Sequence, residues 1–93
     1  MKLKVAGVIK EIGRREYANR FLTQRPLLIT TADEQDVCIK LQAYKHKEDH
    51  TQLVEELALE VGDKVLCGLD ISSRKWRYTY ITNIVCTDIE KLN

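Results

Sequence analysis

Five runs of strand-like residues and one run at helical spacing predict an all-β protein with one helix, whose strands close into a five-stranded barrel. The length of 93 residues allows one domain, 1–93, and is too short for two separate cores. In so short a chain, closing the sheet leaves no exposed edge and buries the alternating face of the strands. With 44% hydrophobic and 31% charged residues, the composition is that of an ordinary globular protein.

The first two strands precede a short polar connection. The first is predicted at about residues 2–12, with Leu3, Val5 and Ile9 on one face. Gly7 in its middle predicts a bend or bulge, which is common where a strand curls around a barrel. A short second strand is predicted at 27–31, and the polar residues 32–36 predict a tight turn after it.

The third strand, at about residues 37–44, has the clearest alternation. Its odd-numbered residues are apolar, while most of its even-numbered residues are polar. Because successive side chains of a strand point to opposite faces, the odd-numbered face is expected in the core and the other towards water or a partner. The outward residues are then Cys38, Lys40, Gln42 and Tyr44.

A helix is predicted at about 49–60. Asp49, with Gln52 three residues later, resembles a capping box, and Gly62 is expected to end the helix. A fourth strand with alternating apolar residues follows, then a polar, basic turn at 72–78 and a fifth strand at about 79–89. This order allows a small α+β sheet or a closed barrel plugged by its helix between strands three and four. We favour the barrel, an OB-fold.

The overall charge excludes some functions. Fifteen Lys and Arg against 14 Asp and Glu give a net charge of +1, which excludes the broad positive field of a histone-like DNA coat. No apolar run approaches the roughly 20 residues that span a bilayer, and no export signal precedes the first strand, so the cytoplasm is the expected compartment. Three cysteines without C-x-x-C spacing favour neither a disulfide framework nor a zinc site, and each is expected to serve as a small hydrophobe.

Although the net charge is close to zero, positive charge is concentrated in three segments, at residues 10–25, 40–47 and 74–77. Five of the six aromatic residues lie inside or next to these segments, while the inward faces of the strands are filled by Val, Ile and Leu. Cations along the phosphates and flat rings for unstacked bases are what single-stranded nucleic acid requires.

An OB barrel would bring the three segments to one groove. The residues predicted to bind nucleic acid form a floor (Lys40, Gln42, Tyr44), a first wall in a mobile loop (Arg14, Arg15, Tyr17, Arg20, Phe21) and a second wall (Arg74, Lys75, Trp76, Arg77, Tyr78). Other roles are open for several of them. Trp76 and Tyr78 could cover a hydrophobic edge or an oligomer interface, and Phe21 could pack under its loop. The arginines could be a solvated surface, and Lys45 and Lys47 could form salt bridges at the start of the helix.

Signals of catalysis are missing. His46 and His50 are four residues apart but precede or begin the helix, and no acidic residue completes an H-E-x-x-H motif, so a metal site is not expected. No phosphate-binding glycine loop is present, and Thr30, Thr31, Ser72 and Ser73 have no nearby histidine that the sequence would pair with them. We therefore expect neither an enzyme nor a bound cofactor.

Four short motifs follow one another in the last third of the chain: Gly62-Asp63-Lys64-Val65, Arg74-Lys75-Trp76, Thr82-Asn83-Ile84 and Ile89-Glu90-Lys91. This order resembles the C-terminal half of bacterial single-stranded-DNA-binding OB-folds. In length and spacing the chain is also similar to a family of small OB-fold proteins of unknown function that is frequent in Bacteroidetes. The resemblance implies that Trp76 occupies the place of a hairpin tryptophan that stacks on bases.

The sequence thus predicts a non-catalytic protein that binds single-stranded nucleic acid and has a role in replication, recombination or repair. DNA is the favoured ligand, and RNA is the alternative. Its likeness to small OB-folds implies a homodimer or higher oligomer, and no membrane partner is expected. The alternative is a protein-interaction OB module, an accessory subunit of a larger complex in which Trp76 and Tyr78 would anchor the partner.

Overall fold

A single six-stranded sheet dominates the computed structural model, which describes residues 1–45 and 47–93. The strands are β1 (Lys2–Ile12), β2 (Glu16–Asn19), β3 (Leu22–Thr31), β4 (Asp36–Tyr44), β5 (Lys64–Trp76) and β6 (Thr79–Lys91). Between β4 and β5 lie a 3-10 turn (His50–Gln52) and one short helix, α1 (Leu53–Glu56). No helix in the described part of the chain has the length and apolar character needed to cross a membrane.

The strand pairings form a ring. β1 pairs with β5, β5 with β6, β6 with β4, β4 with β3, and β3 with β1, while β2 adds to β3 outside the ring. The predicted all-β architecture with one helix is therefore confirmed, but the helix is shorter than predicted and the ring is not a regular barrel. The parallel pair β4–β6 shares only the positions Lys40–Val85 and Leu41–Cys86. Bulges also interrupt the β1–β3 ladder near Lys10 and the β5–β6 ladder near Gly68, so the bulge that was predicted at Gly7 lies further along β1.

Two strand predictions were too short. The second predicted strand begins at Leu22 rather than at residue 27, and the additional strand β2 pairs with its first residues. The segment predicted as a turn at 72–78 continues β5 as far as Trp76, and only Arg77 and Tyr78 form the turn. Both segments carry polar side chains on their two faces, so hydrophobic alternation did not reveal them. Arg77 has a φ of 57°, the left-handed value that tight hairpin turns require.

The predicted helix is the clearest correction. Asp49 does cap its start, because the carboxylate accepts the backbone N–H of Thr51 at 2.9 Å. The helical residues, however, end at Glu56 instead of residue 60. Gly62 therefore does not terminate the helix and instead lies in the turn that enters β5, with a φ of 98°.

The residue that ends the helix is Ala58, which has a left-handed φ of 49°. The N–H of Ala58 donates to the carbonyl of Glu55 at 3.1 Å, and the N–H of Leu59 donates to the carbonyl of Val54 at 2.9 Å. These two bonds are the Schellman arrangement. They turn the chain so that Leu59, only 5% exposed, packs into the same core as Val54.

The core inside the ring is aliphatic. Its hydrophobic members are Ile9, Leu27, Ile29, Ile39, Leu41, Val54, Leu59, Val65, Cys67, Leu69, Cys86 and Ile89. Cys67 and Cys86 are buried there as the sequence predicts, whereas Cys38 is exposed on the outer face of β4. The rings of the aromatic residues are thus left for the surface.

Candidate nucleic-acid interface

The outer face of β4 has the composition that the sequence predicts. Ile39 and Leu41 are fully buried, so Lys40, Gln42 and Tyr44 point outward. The amide of Gln42 donates a hydrogen bond to the side-chain oxygen of Gln24 at 3.2 Å. This cross-strand bond joins β3 and β4 into one polar surface.

Three residues of β3 complete this surface: Leu22 opposite Tyr44, Gln24 opposite Gln42 and Pro26 opposite Lys40. Directly opposed residues of an antiparallel pair share a face of the sheet. Sequence reasoning missed all three, because the second strand was predicted to begin only at residue 27. Residues 22–26 show no alternation of polar and apolar side chains, so the sequence carried no local signal for them.

Beyond Ile71 and Ile84, β5 and β6 continue as a two-stranded hairpin, residues 72–83, which we call the arm. No third strand pairs with the arm among the described residues. Arg74 and Trp76 share one face of the arm. Asp70 lies on the same face of β5 and pairs with Val85, which in turn pairs with Lys40, so this face of the arm continues the outer face of the sheet.

Lys75 occupies the other face of the arm, opposite Tyr80. The predicted second wall is therefore divided: Arg74 and Trp76 line the outer face, Lys75 does not, and Arg77 and Tyr78 form the tip.

Every aromatic side chain of the protein is exposed. The exposed fraction runs from 46% for Tyr44 to full exposure for Tyr78, with Trp76 at 53% and Phe21 at 51%. The interpretation of Phe21 as a satellite core residue is therefore wrong.

Three of the rings lie close to a cation. The guanidinium carbon of Arg20 is 5.0 Å from the Phe21 centroid, and that of Arg77 is 5.7 Å from the Trp76 centroid. The ammonium of Lys47 is 5.8 Å from the Tyr44 centroid. These distances are within the range of cation–π attraction. Lys47 thus contacts the candidate surface, and the structure shows no salt bridge from it to another described residue.

The first predicted wall is a hairpin rather than a free loop, since β2 pairs with β3. Within it, Arg15 is held by other groups: its Nε donates to the Thr51 hydroxyl at 3.2 Å, and its Nη2 is 3.5 Å from Glu55. Arg25 approaches the same carboxylate at 2.7 Å and also donates to the carbonyl of Gly13. The Arg25 hydrogen bond is the main reason that the pKa of Glu55 is lowered.

The remaining residues of this wall are exposed but point in different directions. Tyr17 is paired with Thr23, so it lies on the opposite face of the sheet from Tyr44. Arg14 lies in the link between β1 and β2, and Arg20 and Phe21 lie at the turn between β2 and β3. Because Arg15 is tied to the helix and Tyr17 faces away, only part of the predicted wall borders the outer face.

The three basic segments do not meet in one compact groove. Tyr44 is four residues past Lys40 along β4. Val85 of the parallel strand β6 pairs with Lys40, and Thr79, which pairs with Trp76, lies six residues before Val85. Tyr44 and Trp76 therefore lie in opposite directions from the Lys40–Val85 pair. At about 3.3 Å per residue, roughly 30 Å of sheet separates Tyr44 from Trp76. The predicted groove is instead a long, shallow face with the β2–β3 hairpin at one end and the arm at the other.

Several other titratable side chains form local ion pairs. Lys10 binds Asp36 at 2.8 Å, which raises the pKa of Lys10 and lowers that of Asp36. His50 lies 3.3 Å from Glu48. Among the described residues no three His, Cys, Asp or Glu side chains are grouped as metal ligands, and His46, of the predicted histidine pair, lies outside them.

Two solved structures resemble this fold. The OBody NL8 bound to hen egg-white lysozyme matches with a TM-score of 0.62 and 15% identity, over 100% of this chain and 96% of the other. The mitochondrial single-stranded DNA-binding protein Rim1 from S. cerevisiae matches with a TM-score of 0.55 and 16% identity, over 98% of this chain and 92% of the other. No protein-family model matches the sequence, and no curated protein matches it.

At these identities the likeness establishes the fold alone. The protein has an OB-like β fold, and its structural relatives include a protein that binds single-stranded DNA. The resemblance to a small OB-fold family of Bacteroidetes has no matching family model behind it.

Proposed function

We propose that this protein binds single-stranded nucleic acid, DNA in particular, and catalyses no reaction. The site is the outer face of β3, β4 and β6 together with the outer face of the arm. A role in DNA replication, recombination or repair fits this activity, and we retain the prediction that the protein acts as a homodimer or higher oligomer.

The observation that carries the proposal is the exposure of every aromatic ring around a core of aliphatic residues and two cysteines. Aromatic residues usually supply much of the buried area of a small domain, so a surface that holds all of them requires another reason. Unstacked bases supply one, because each can stack on a ring with about 1–3 kcal/mol. The cations Lys40, Arg74 and Arg77 lie along the same route and can contact phosphates.

Rim1 provides independent support, because its printed description is of a single-stranded DNA-binding protein and its fold matches over nearly the whole chain. The proposal transfers that ligand class to this protein and leaves the base preference and site size to be measured. OB-folds occupy roughly 4–16 nucleotides.

The test is a fluorescence titration of a labelled thymidine oligonucleotide at two salt concentrations. We expect binding that weakens with salt and quenches Trp76. Trp76→Ala should weaken binding by about 1–3 kcal/mol, because the variant lacks a stacking platform, while the fold is retained.

The matched control is Tyr80→Ala, which removes an exposed ring from the opposite face of the same arm. It should change affinity for a short oligonucleotide much less than Trp76→Ala does. Equal losses in the two variants, or no binding by the wild type at low salt, would contradict the proposed site.

The structure of the OBody bound to lysozyme favours a second candidate, because there the same fold is in complex with a protein. In this alternative, Trp76 and Tyr78 anchor a partner protein. If the oligonucleotide binds and Trp76→Ala weakens that binding by about 1–3 kcal/mol, a protein partner is excluded as the main ligand. Burial of Trp76 against another chain, with no oligonucleotide binding, would support this alternative instead.

A further inference from the structure

A cavity of about 340 Å³ opens on the candidate surface beside Tyr44. Strands β4 and β6 and the segment that follows β4 line it, with Gln42, Tyr44, Val85 and Thr87 from the strands and Lys47, Glu48 and His50 from the segment. It is close to the lower end of the volume range of small-molecule sites and offers one ring, aliphatic surface and several polar groups. These are the features of a site for a single nucleobase.

One residue of this cavity is out of place for a surface that binds a polyanion. Glu48 is acidic, with its side chain 83% exposed, and His50 approaches its carboxylate at 3.3 Å. A carboxylate repels phosphate, so the nucleic acid must present another group to it. The edge of a base is that group, because a carboxylate only accepts hydrogen bonds and base edges carry N–H donors.

The choice of base follows from the pattern of donors. Guanine alone presents two N–H donors side by side on its Watson–Crick edge, from N1 and from the exocyclic amino group, and both can bond to the two oxygens of one carboxylate. Thymine and uracil have one donor between two acceptors, whereas adenine and cytosine place an acceptor beside their amino group. Single-stranded bases are commonly recognised on this edge while they stack on an aromatic ring.

We propose, resting on the function above, that this cavity is a guanine-selective subsite: the base stacks beside Tyr44 and its Watson–Crick edge donates two hydrogen bonds to Glu48. Lys47, close to the Tyr44 ring, is placed to contact the phosphate of the same nucleotide. Gln42, which also lines the cavity, is held in position by its bond to Gln24.

The experiment uses fluorescence anisotropy with labelled 12-nucleotide oligothymidines. One is uniform, and three carry a single central guanosine, adenosine or inosine. Guanosine should tighten binding by the wild type about fivefold or more, the low end of the discrimination of a bidentate pair. Adenosine stacks equally well but lacks the two donors, and inosine lacks only the amino group, so both should bind like thymidine.

Glu48→Gln should reduce the guanosine preference, measured as the ratio of affinities for the guanosine-containing and uniform oligonucleotides, to less than about twofold. Glu60→Gln, which removes an exposed carboxylate outside the cavity, is the matched control and should leave the preference unchanged. The inference is overturned if the wild type binds all four oligonucleotides equally or if Glu48→Gln retains the preference. Failure of the wild type to bind any of them instead overturns the proposed function itself.

Discussion

Glu55 ties the β2–β3 hairpin to the helical segment. Its carboxylate receives Arg25 at 2.7 Å and Arg15 at 3.5 Å, and the pKa of Glu55 is lowered, mainly by the hydrogen bond from Arg25. A group whose pKa is lower in the folded state stabilises the fold above its unfolded pKa, and the contribution disappears as the pH falls through the folded value.

We therefore expect Glu55→Gln to lower the urea midpoint of unfolding at pH 7 and to have little effect at an acid pH below the folded pKa of Glu55. At the lower pH the wild-type carboxyl is protonated and the two proteins become equivalent. Urea unfolding at both values gives the comparison, and the shift should be small because the group is on the surface.

Glu56→Gln serves as the matched control, since Glu56 is the exposed neighbour and forms no ion pair within residues 1–45 and 47–93. Its midpoint should follow the wild type at both pH values. A Glu55→Gln difference that persists undiminished in acid would show that the ion pairs are not its cause.

At this scale, alternation along one strand predicted side-chain direction well. Lys40, Gln42 and Tyr44 face outward, as expected from the apolar residues between them. The partners of Arg15 and Arg25 could not be predicted in the same way, because Glu55 is 40 and 30 residues away along the chain. Such a contact depends on how the hairpin and the helix pack, and no local pattern contains it.

Among the elements, the short helix shows how packing overrides local preference. Residues 57–60 are good helix formers, and the apolar spacing continues to Val61. The helix nevertheless ends, because a left-handed Ala58 brings Leu59 into the core and leaves Val61 64% exposed. Burial of Leu59 outweighs the few tenths of a kcal/mol that extra helical residues would add.

Ala58→Gly should therefore stabilise the protein by up to about 1 kcal/mol. Glycine adopts the left-handed conformation without the steric cost that a Cβ brings there, which exceeds its entropic penalty. Thermal or urea unfolding measures the change. Ala6→Gly, in the middle of β1, should destabilise the protein instead, and a fall in stability for Ala58→Gly would contradict the Schellman interpretation.

The register of the arm makes a prediction about two neighbouring cations. Arg74 lies on the outer face with Trp76, and Lys75 lies on the other face with Tyr80. Arg74→Gln should reduce the slope of log affinity against log salt by about 0.7, because one phosphate contact is lost. Lys75→Gln, with the same loss of charge, should leave the slope nearly unchanged when a short oligonucleotide is titrated. Equal changes in the two variants would show that the faces of the arm are not distinguished.

For the molecule as a whole, the sequence predicted a ring of strands with one helix but not how the cations are distributed over it. Hydrophobic patterning predicts the five strands of the ring and the helix, and the structure contains all of them. The distances between the basic segments depend on the offset of β6 against β4, which is fixed by only two residue pairs. Because that offset separates Tyr44 from Trp76, the candidate site is long and open rather than a narrow groove.

The arm has a further consequence for the motions of the protein. An isolated two-stranded hairpin is marginally stable in water. No third strand from residues 1–45 or 47–93 supports the arm, and little of its surface is buried. The amide hydrogens of the arm should exchange with deuterium far sooner than those of the ring beneath, through local opening that leaves the ring intact. A strand of nucleic acid bound to Arg74 and Trp76 would slow this exchange. The arm would then become fully ordered only when the ligand binds.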